Sequence, residues 1–431
     1  MNKTTISTIE FLEKCFSIIT ILFSTAAIIP LFRVVSEGVF VSGSDPSIQV
    51  IWSVIYLVNL FLIMLRWKRF IYVAQKDKLL LIIIGLALVS TLWSTDPLFT
   101  LRRSVTLVGT TIFGIYLALR YSFKEQLQLL AWSLGIAALL SLLIVIVPPN
   151  YGIENRSSYA GVWRGIYATK NSLGAAMSLS AVVFLLLAIN KGRYRWFNWA
   201  GFSFSFVLLM FSTAKTSLVT LLTVLVLLPI YRALRWRYSL KIPFLVAVVS
   251  VSGVVGTIFL SNTETVLGAL GKDITLTGRT QLWYLLLNMG LQHPWLGYGY
   301  SGFWLGWDGP SQLIWSSLFW QPYHAHNGLL HLWLDLGLVG VFLFTLSFIR
   351  VSLKAVAWVR LTKTSEGFWP LVFLSVMLLR NVSESEILAA NSTLWILYVA
   401  TTFSIAIQSE RERKTSYINT TLNRQGLAQD V

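Results

Sequence analysis

The chain is written as long apolar runs separated by short, mostly basic connections. Runs such as Ile48 to Leu65, Leu127 to Val147 and Leu329 to Phe348 approach the roughly 20 residues that a helix needs to cross a bilayer. The pattern predicts twelve spans, near 15–34, 48–65, 79–93, 105–119, 127–147, 172–189, 198–213, 216–231, 242–260, 327–349, 369–380 and 391–408. Residues 198–231 also fit one long tilted helix, but that would put "KGRYR" and "RALRWRYSLK" on opposite faces and invert everything downstream. Two helices are therefore expected there. Residues 369–408, interrupted by "RNVSESE", are divided in the same way. The fold class is all-α: a polytopic membrane domain over 1–408, a large outer loop at 261–326 within it, and a polar tail, 409–431, expected to be disordered. The loop mixes Gly and Pro with six Trp and should form short helices across the outer face. A second long outer connection covers 148–171, and neither a fixed-period repeat nor a separate soluble domain is evident.

Composition strengthens this picture. The chain is 55% hydrophobic and 12% charged, whereas soluble domains carry about 25% charged residues. A net charge of +16 by itself invites nucleic acid as a partner, but the charges lie between the apolar runs. With twelve spans, 24 of the 34 Lys and Arg fall on the side that holds both termini, which the positive-inside rule makes cytoplasmic. No cleavable signal peptide is expected, because Cys15 to Leu31 lacks a small-residue cleavage site and reads as a first span. The single cysteine, Cys15, excludes an intrachain disulfide and a multi-cysteine metal site.

Ten cations remain outside against that bias: Arg33, Arg102, Arg103, Arg156, Arg164, Lys170, Lys215, Lys272, Arg279 and Arg380. Arg33 reads as a snorkelling helix end and Lys272 as a solvated loop charge. Arg164, Lys170, Lys215, Arg279 and Arg380 each adjoin an apolar segment and need an anion. The outer acids are few: Glu37, Asp45, Asp96, Glu154, Glu264, Asp273, Asp308, Glu384 and Glu386, with Asp335 inside a span. A lipid diphosphate fits, since Arg pairs bidentately with phosphate oxygens and Lys supplies a point charge.

Three of the four histidines lie in "QPYHAHNGLLHLW", residues 321–333, and the fourth is His293. His324 and His326 share one face of an extended segment. The spacings do not make the i, i+4 pair of a zinc site, and no metal is expected. His326 opens a span next to water, where an imidazole can accept a hydroxyl proton. Tyr323, Trp320 and Trp304 could stack on sugar faces or anchor at the interface.

"HNGLLHLWLDLGLVG", from His326 to Gly340, has the form His-Asn, nine residues, Gly, two residues, Gly. It resembles the signature of the O-antigen ligase and Wzy-type polysaccharide polymerase superfamily. "WRGIYATKNSLG" and "TGRTQLWYLLLNMGLQHPWLGYGYSGF" are similar to that superfamily, and with "STAKTSL" and "LLRNVSESE" they look most like its ExoQ-like exopolysaccharide branch. The resemblance covers about residues 90 to 400. It implies a GT-C-like, metal-independent, inverting glycosyltransferase without a cofactor, using a glycan donor on undecaprenyl diphosphate. By matching motif, His326 would be the base and Arg164 and Arg279 would hold the diphosphate, helped by Lys215 and Lys170. His324, Asn327, Arg380 and Tyr323 are supporting candidates. Related sequences often have His where this one has Thr169, which removes that position from any carried-over role.

The leading expectation is a polymerase of lipid-linked oligosaccharide repeats. It would sit in a bacterial inner membrane, with its site on the periplasmic face and polysaccharide export or chain-length proteins as partners. The first rival is a ligase that passes finished glycan to lipid A core or protein. The second is a flippase or transporter, which would need ionisable groups near the bilayer midplane rather than at one face.

Overall fold

The structure is a computed structural model, and it describes residues 3–27, 46–147, 149–154, 161–190, 192–237, 239–244 and 279–427. Its helices are α1 (Lys3–Ser24), α2 (Pro46–Met64), α3 (Trp67–Ala74), α4 (Lys78–Val89), α5 (Pro97–Arg120), α6 (Phe123–Ile146), α7 (Pro149–Gly152), α8 (Lys170–Ile189), α9 (Arg195–Phe211), α10 (Lys215–Ala233), α11 (Arg279–Gln292), α12 (Gln312–Ser317), α13 (Gly328–Leu361), α14 (Trp369–Asn381) and α15 (Thr393–Leu427). Two-residue strands β1 (Ile153–Glu154) and β2 (Val162–Trp163) pair antiparallel and make the one sheet among the described residues. The protein is an all-α membrane protein. Among the described residues five helices are long and apolar enough to cross a bilayer: α2, α6, α8, α10 and α13.

Helix α8 is apolar all round, and it is buried as such a helix must be. Helices α6, α9 and α10 pack around it. By contrast α2 leaves Val50, Val54, Leu57 and Phe61 exposed, a face suited to lipid. Large aromatics close the core between α5, α14 and α15, with Tyr116, Trp369, Phe373, Trp395, Tyr398 and Phe403 fully buried.

Charges tie the basic connections together. Buried Glu13 of α1 pairs with Arg66 and, at 2.6 Å, with Arg120. Buried Asp77 caps α4 through the Leu80 N–H, with Arg350 at 3.7 Å and Lys354 at 3.9 Å. Arg235 donates to the carbonyls of Val359, Lys363 and Thr364.

Residues 198–231 do form two helices, α9 and α10, separated by a turn in which Thr213 has φ +50°. Residues 369–408 likewise divide into α14 and α15. The first helix lies earlier than the expected 15–34, because the partners of Glu13 let α1 extend through charged residues. At twelve and thirteen residues, α4 and α14 are only about 18–20 Å long, short of a roughly 30 Å hydrocarbon core. Helix α5 carries Arg102 and Arg103 near its start, where a continuous span was expected from 105. Polar residues after Ser409 continue α15 as helix to Leu427, where a disordered tail was expected. Most of the expected span 242–260, the first part of the outer loop, and Arg33, Glu37, Asp45, Arg156, Glu264, Lys272 and Asp273 lie outside the described residues.

Helix α13 is broken. Gly337 has φ +66°, and a Cβ there would collide with the Trp295 carbonyl. Backbone from the loop after α11 fills the break: Leu338 N–H donates to Pro294 O at 2.8 Å, Val339 N–H to Trp295 O at 3.2 Å, and Tyr298 N–H to Leu334 O at 2.8 Å. Polar backbone freed inside a membrane helix must find such partners.

Candidate active site

The three clustered histidines sit at the entrance to α13. Asn327 caps that helix, its side-chain oxygen accepting from the N–H groups of Leu329 and Leu330 at 3.1 and 3.0 Å. This gives Asn327 a structural reason to follow His326. Gly328 lies so close to Asn381 that a side chain would strike its amide oxygen, which brings the "RNVSESE" segment beneath the cap. Asn381 in turn accepts the N–H groups of Glu386 and Ile387.

His326 has φ +49°, a conformation costing a non-glycine residue about 1–3 kcal/mol that the surroundings must hold in place. Four contacts do so. His326 N–H donates to His324 Nδ1 at 3.2 Å, Trp283 Nε1 donates to Ala325 O at 2.9 Å, Ala325 N–H donates to His331 Nδ1 at 3.5 Å, and Ser385 Oγ donates to Asn327 O at 3.4 Å. The rings of His324 and His326 are 3.9 Å apart, and Trp320 lies against His326 at 5.7 Å.

Glu384 comes within 4.0 Å of both His324 Nε2 and His326 Nδ1. Glu386 lies 3.7 Å from Arg380. His326 is the more enclosed ring, 19% exposed against 35% for His324, and its Nδ1 is buried without a hydrogen-bond partner. Burial pushes the His324 imidazole down to about 4, opposed by Glu386 and aided by Arg279 and Arg380. Burial pushes His326 down to about 3, aided by His324 and Arg279 and opposed by the Ser383 backbone. Both rings are therefore neutral at ordinary pH, beside fixed cations.

Arg164, Lys170 and Lys215 have different neighbours. Arg164 Nε donates to Tyr151 O at 3.0 Å, and Lys170 Nζ reaches Thr213 Oγ1 at 3.4 Å. Lys170 lies within electrostatic reach of Lys215 and Glu154. Trp163 stacks on Phe211 at 4.3 Å beside them. Of the proposed site residues, the structure thus groups Arg279 and Arg380 with His324 and His326, and groups Lys170 with Lys215. Tyr323 packs edge-on to Trp315, Trp304 lies parallel to His331, and His293 packs on Tyr298.

In the sequence Glu384 and Glu386 stand only as outer acids without a role. Their signal was the "SESE" pattern in a connection required to face outward. His324, His326 and Glu384 each offer a donor atom within 4.8 Å of the others, a set that could hold a cation. Its chemistry fits one poorly. His324 Nδ1 already accepts a hydrogen bond, so the neutral ring carries its proton on Nε2, the nitrogen facing Glu384.

Neutral histidines beside fixed cations, at the start of a discontinuous apolar helix, are what the structure brings together here. Residues 200–345 match the family described as O-antigen ligase. The chain is also 26% identical over 275 residues to the exopolysaccharide production protein ExoQ of Rhizobium meliloti (strain 1021), covering 60% of this chain and 61% of that protein. The chain is thus similar to the O-antigen ligase family over about a third of its length and to an exopolysaccharide production protein of which it spans less than two thirds.

Proposed function

We propose that the protein is an inverting glycosyltransferase that polymerises oligosaccharide repeats carried on undecaprenyl diphosphate, as part of surface polysaccharide synthesis. The observation that carries this reading is His326: neutral, strained at φ +49°, with a buried acceptor nitrogen beside Glu384 and under the field of Arg279. In the proposed step His326 takes the proton of an acceptor sugar hydroxyl. The freed oxygen forms a bond to the anomeric carbon of the donor from the face opposite the diphosphate. The bond from that carbon to the diphosphate oxygen breaks, and the electron pair leaves with the diphosphate. Arg279, with Arg380 near it, stabilises the leaving charge, while Arg164, Lys170 and Lys215 form a second cationic patch for the lipid-linked phosphates. No metal or cofactor enters this scheme.

The site also implies an order. Burial is the main cause that depresses His326, and an anionic donor that offsets the smaller Arg279 field would raise its basicity as the acceptor hydroxyl arrives. The reading places twelve spans in a bacterial inner membrane in a GT-C-like arrangement, both termini in the cytoplasm and the site outside. Clustering of cations and histidines at one loop favours an enzyme over a flippase.

The test is turnover by purified protein given a defined lipid-diphosphate oligosaccharide as both donor and acceptor. A ladder of longer glycans is expected from the wild type, and His326→Ala should lower its rate by about 10²–10⁴-fold while donor binding persists. A wild type that makes no ladder, but transfers glycan once lipid A core or protein is added, would replace polymerase with ligase. Full activity of His326→Ala would remove the base.

A further inference from the structure

The proposed chemistry leaves Asp335 unused. This carboxylate lies in α13 two residues before the break, and its side chain is 4% exposed. Its Oδ1 has no hydrogen-bond partner, while its Oδ2 stands 3.7 Å from His331 Nε2. An ionisable group at such depth is expensive, and a structure that keeps one usually uses it.

His331, one turn earlier, faces two ways. Its Nδ1 accepts the Ala325 N–H. A neutral imidazole that accepts at Nδ1 carries its proton on Nε2, the nitrogen turned to Asp335. Trp304, parallel to the ring at a centroid distance of 6.0 Å, limits its rotation. In the next peptide unit, Trp283 holds the Ala325 carbonyl. Ala325 is thus gripped at both its N–H and its C=O, immediately before the strained residue.

We propose that Asp335 is a positioning residue: acting through His331, it holds the Ala325–Asn327 turn that presents His326. The inference rests on the reading of His326 as the base. Asp335 keeps the His331 proton on Nε2. Without the carboxylate that proton is free to occupy Nδ1, where it would meet the Ala325 N–H donor against donor and open the turn. Replacing a carboxylate by an amide behind a histidine has this tautomer effect with little change of shape.

The experiment uses the full chain carrying Asp335→Asn, His331→Ala or both. For Asp335→Asn, kcat should fall by at least about tenfold, since small misplacements of a reacting group are costly, with donor KM and thermal midpoint unchanged. Amide hydrogen exchange over residues 324–328 should become faster. The Ser301 backbone also hydrogen-bonds to the carboxylate, but the effect of Asp335 on the Ala325–Asn327 turn runs through the His331 ring, so the double variant should be no slower than His331→Ala. Unchanged kcat and exchange would overturn the proposal. So would additive losses in the double variant, or a loss accompanied by a collapse of the thermal midpoint. Exchange does not depend on which residue is the base. If His326→Ala stayed active, the function reading would fail on its own, while faster exchange in Asp335→Asn would still uphold the clamp.

Discussion

At His326 the environment suppresses basicity in the free protein, and this has a measurable consequence for stability. The folded ring is held down to about 3, whereas an unfolded histidine titrates at an ordinary value of about 6.5. Between those values the unfolded state binds the proton and the folded state does not, so unfolding free energy rises with pH across the window. Stability from this group is complete above about pH 6.5 and is lost as pH falls toward 3. Replacing His326 with Gln removes the titrating group and should flatten the acid side of a plot of thermal midpoint against pH. A variant whose midpoint fell as steeply as wild type between pH 7 and 4 would show that His326 is not buried neutral. Asn327 makes a related point at the same scale: the residue that follows His326 is the helix cap, so the one turn that strains His326 also starts α13.

Among the elements, the break in α13 connects the sequence motif to the site. Gly337 needs its positive φ and its missing side chain, because the Trp295 carbonyl occupies the space. Gly337→Ala should therefore destabilise the protein by at least about 2 kcal/mol, read as a drop in thermal midpoint. Gly192→Ala meets no neighbouring atom and should stay within about 0.5 kcal/mol of wild type. Equal midpoints for the two variants would mean that the segment at 294–298 does not fill the break. Much of this architecture was legible in the chain. Apolar runs gave α2, α6, α8 and α10 to within a few residues, and the "KGRYR" and "RALRWRYSLK" charges divided α9 from α10. Gly337 was visible as part of a spacing, but its partner lies about 40 residues upstream, and no local pattern in an apolar run announces a break filled from elsewhere. For the same reason Glu384 remained a bare outer acid. Its approach to His324 and His326 is made by the Gly328–Asn381 contact, which joins two distant segments.

Across the whole molecule, the basic connections and the histidine loop belong to different neighbourhoods. Glu13 and Asp77 collect Arg66, Arg120, Arg350 and Lys354, all from the side that holds 24 of the 34 cationic residues under the twelve-span reading. Buried carboxylates that pair with several cations also fasten α1, α4, α5 and α13, so the charges that would orient the chain under that reading also help to hold its helices together. If the proposed orientation holds, Gln321, exposed in the histidine loop, faces outward, and Arg193, exposed in the "KGRYR" connection, faces the cytoplasm. Cys15 is the one cysteine, so Cys15→Ser supplies a silent background for placing a single thiol. In spheroplasts a membrane-impermeant maleimide should label Gln321→Cys at once, and should label Arg193→Cys only after the membrane is opened. The reverse pattern would put His326 in the cytoplasm, where a donor presented on the outer leaflet could not reach it. Labelling of both positions in closed spheroplasts would instead require an even number of crossings between residues 193 and 321, against the odd number in the twelve-span reading.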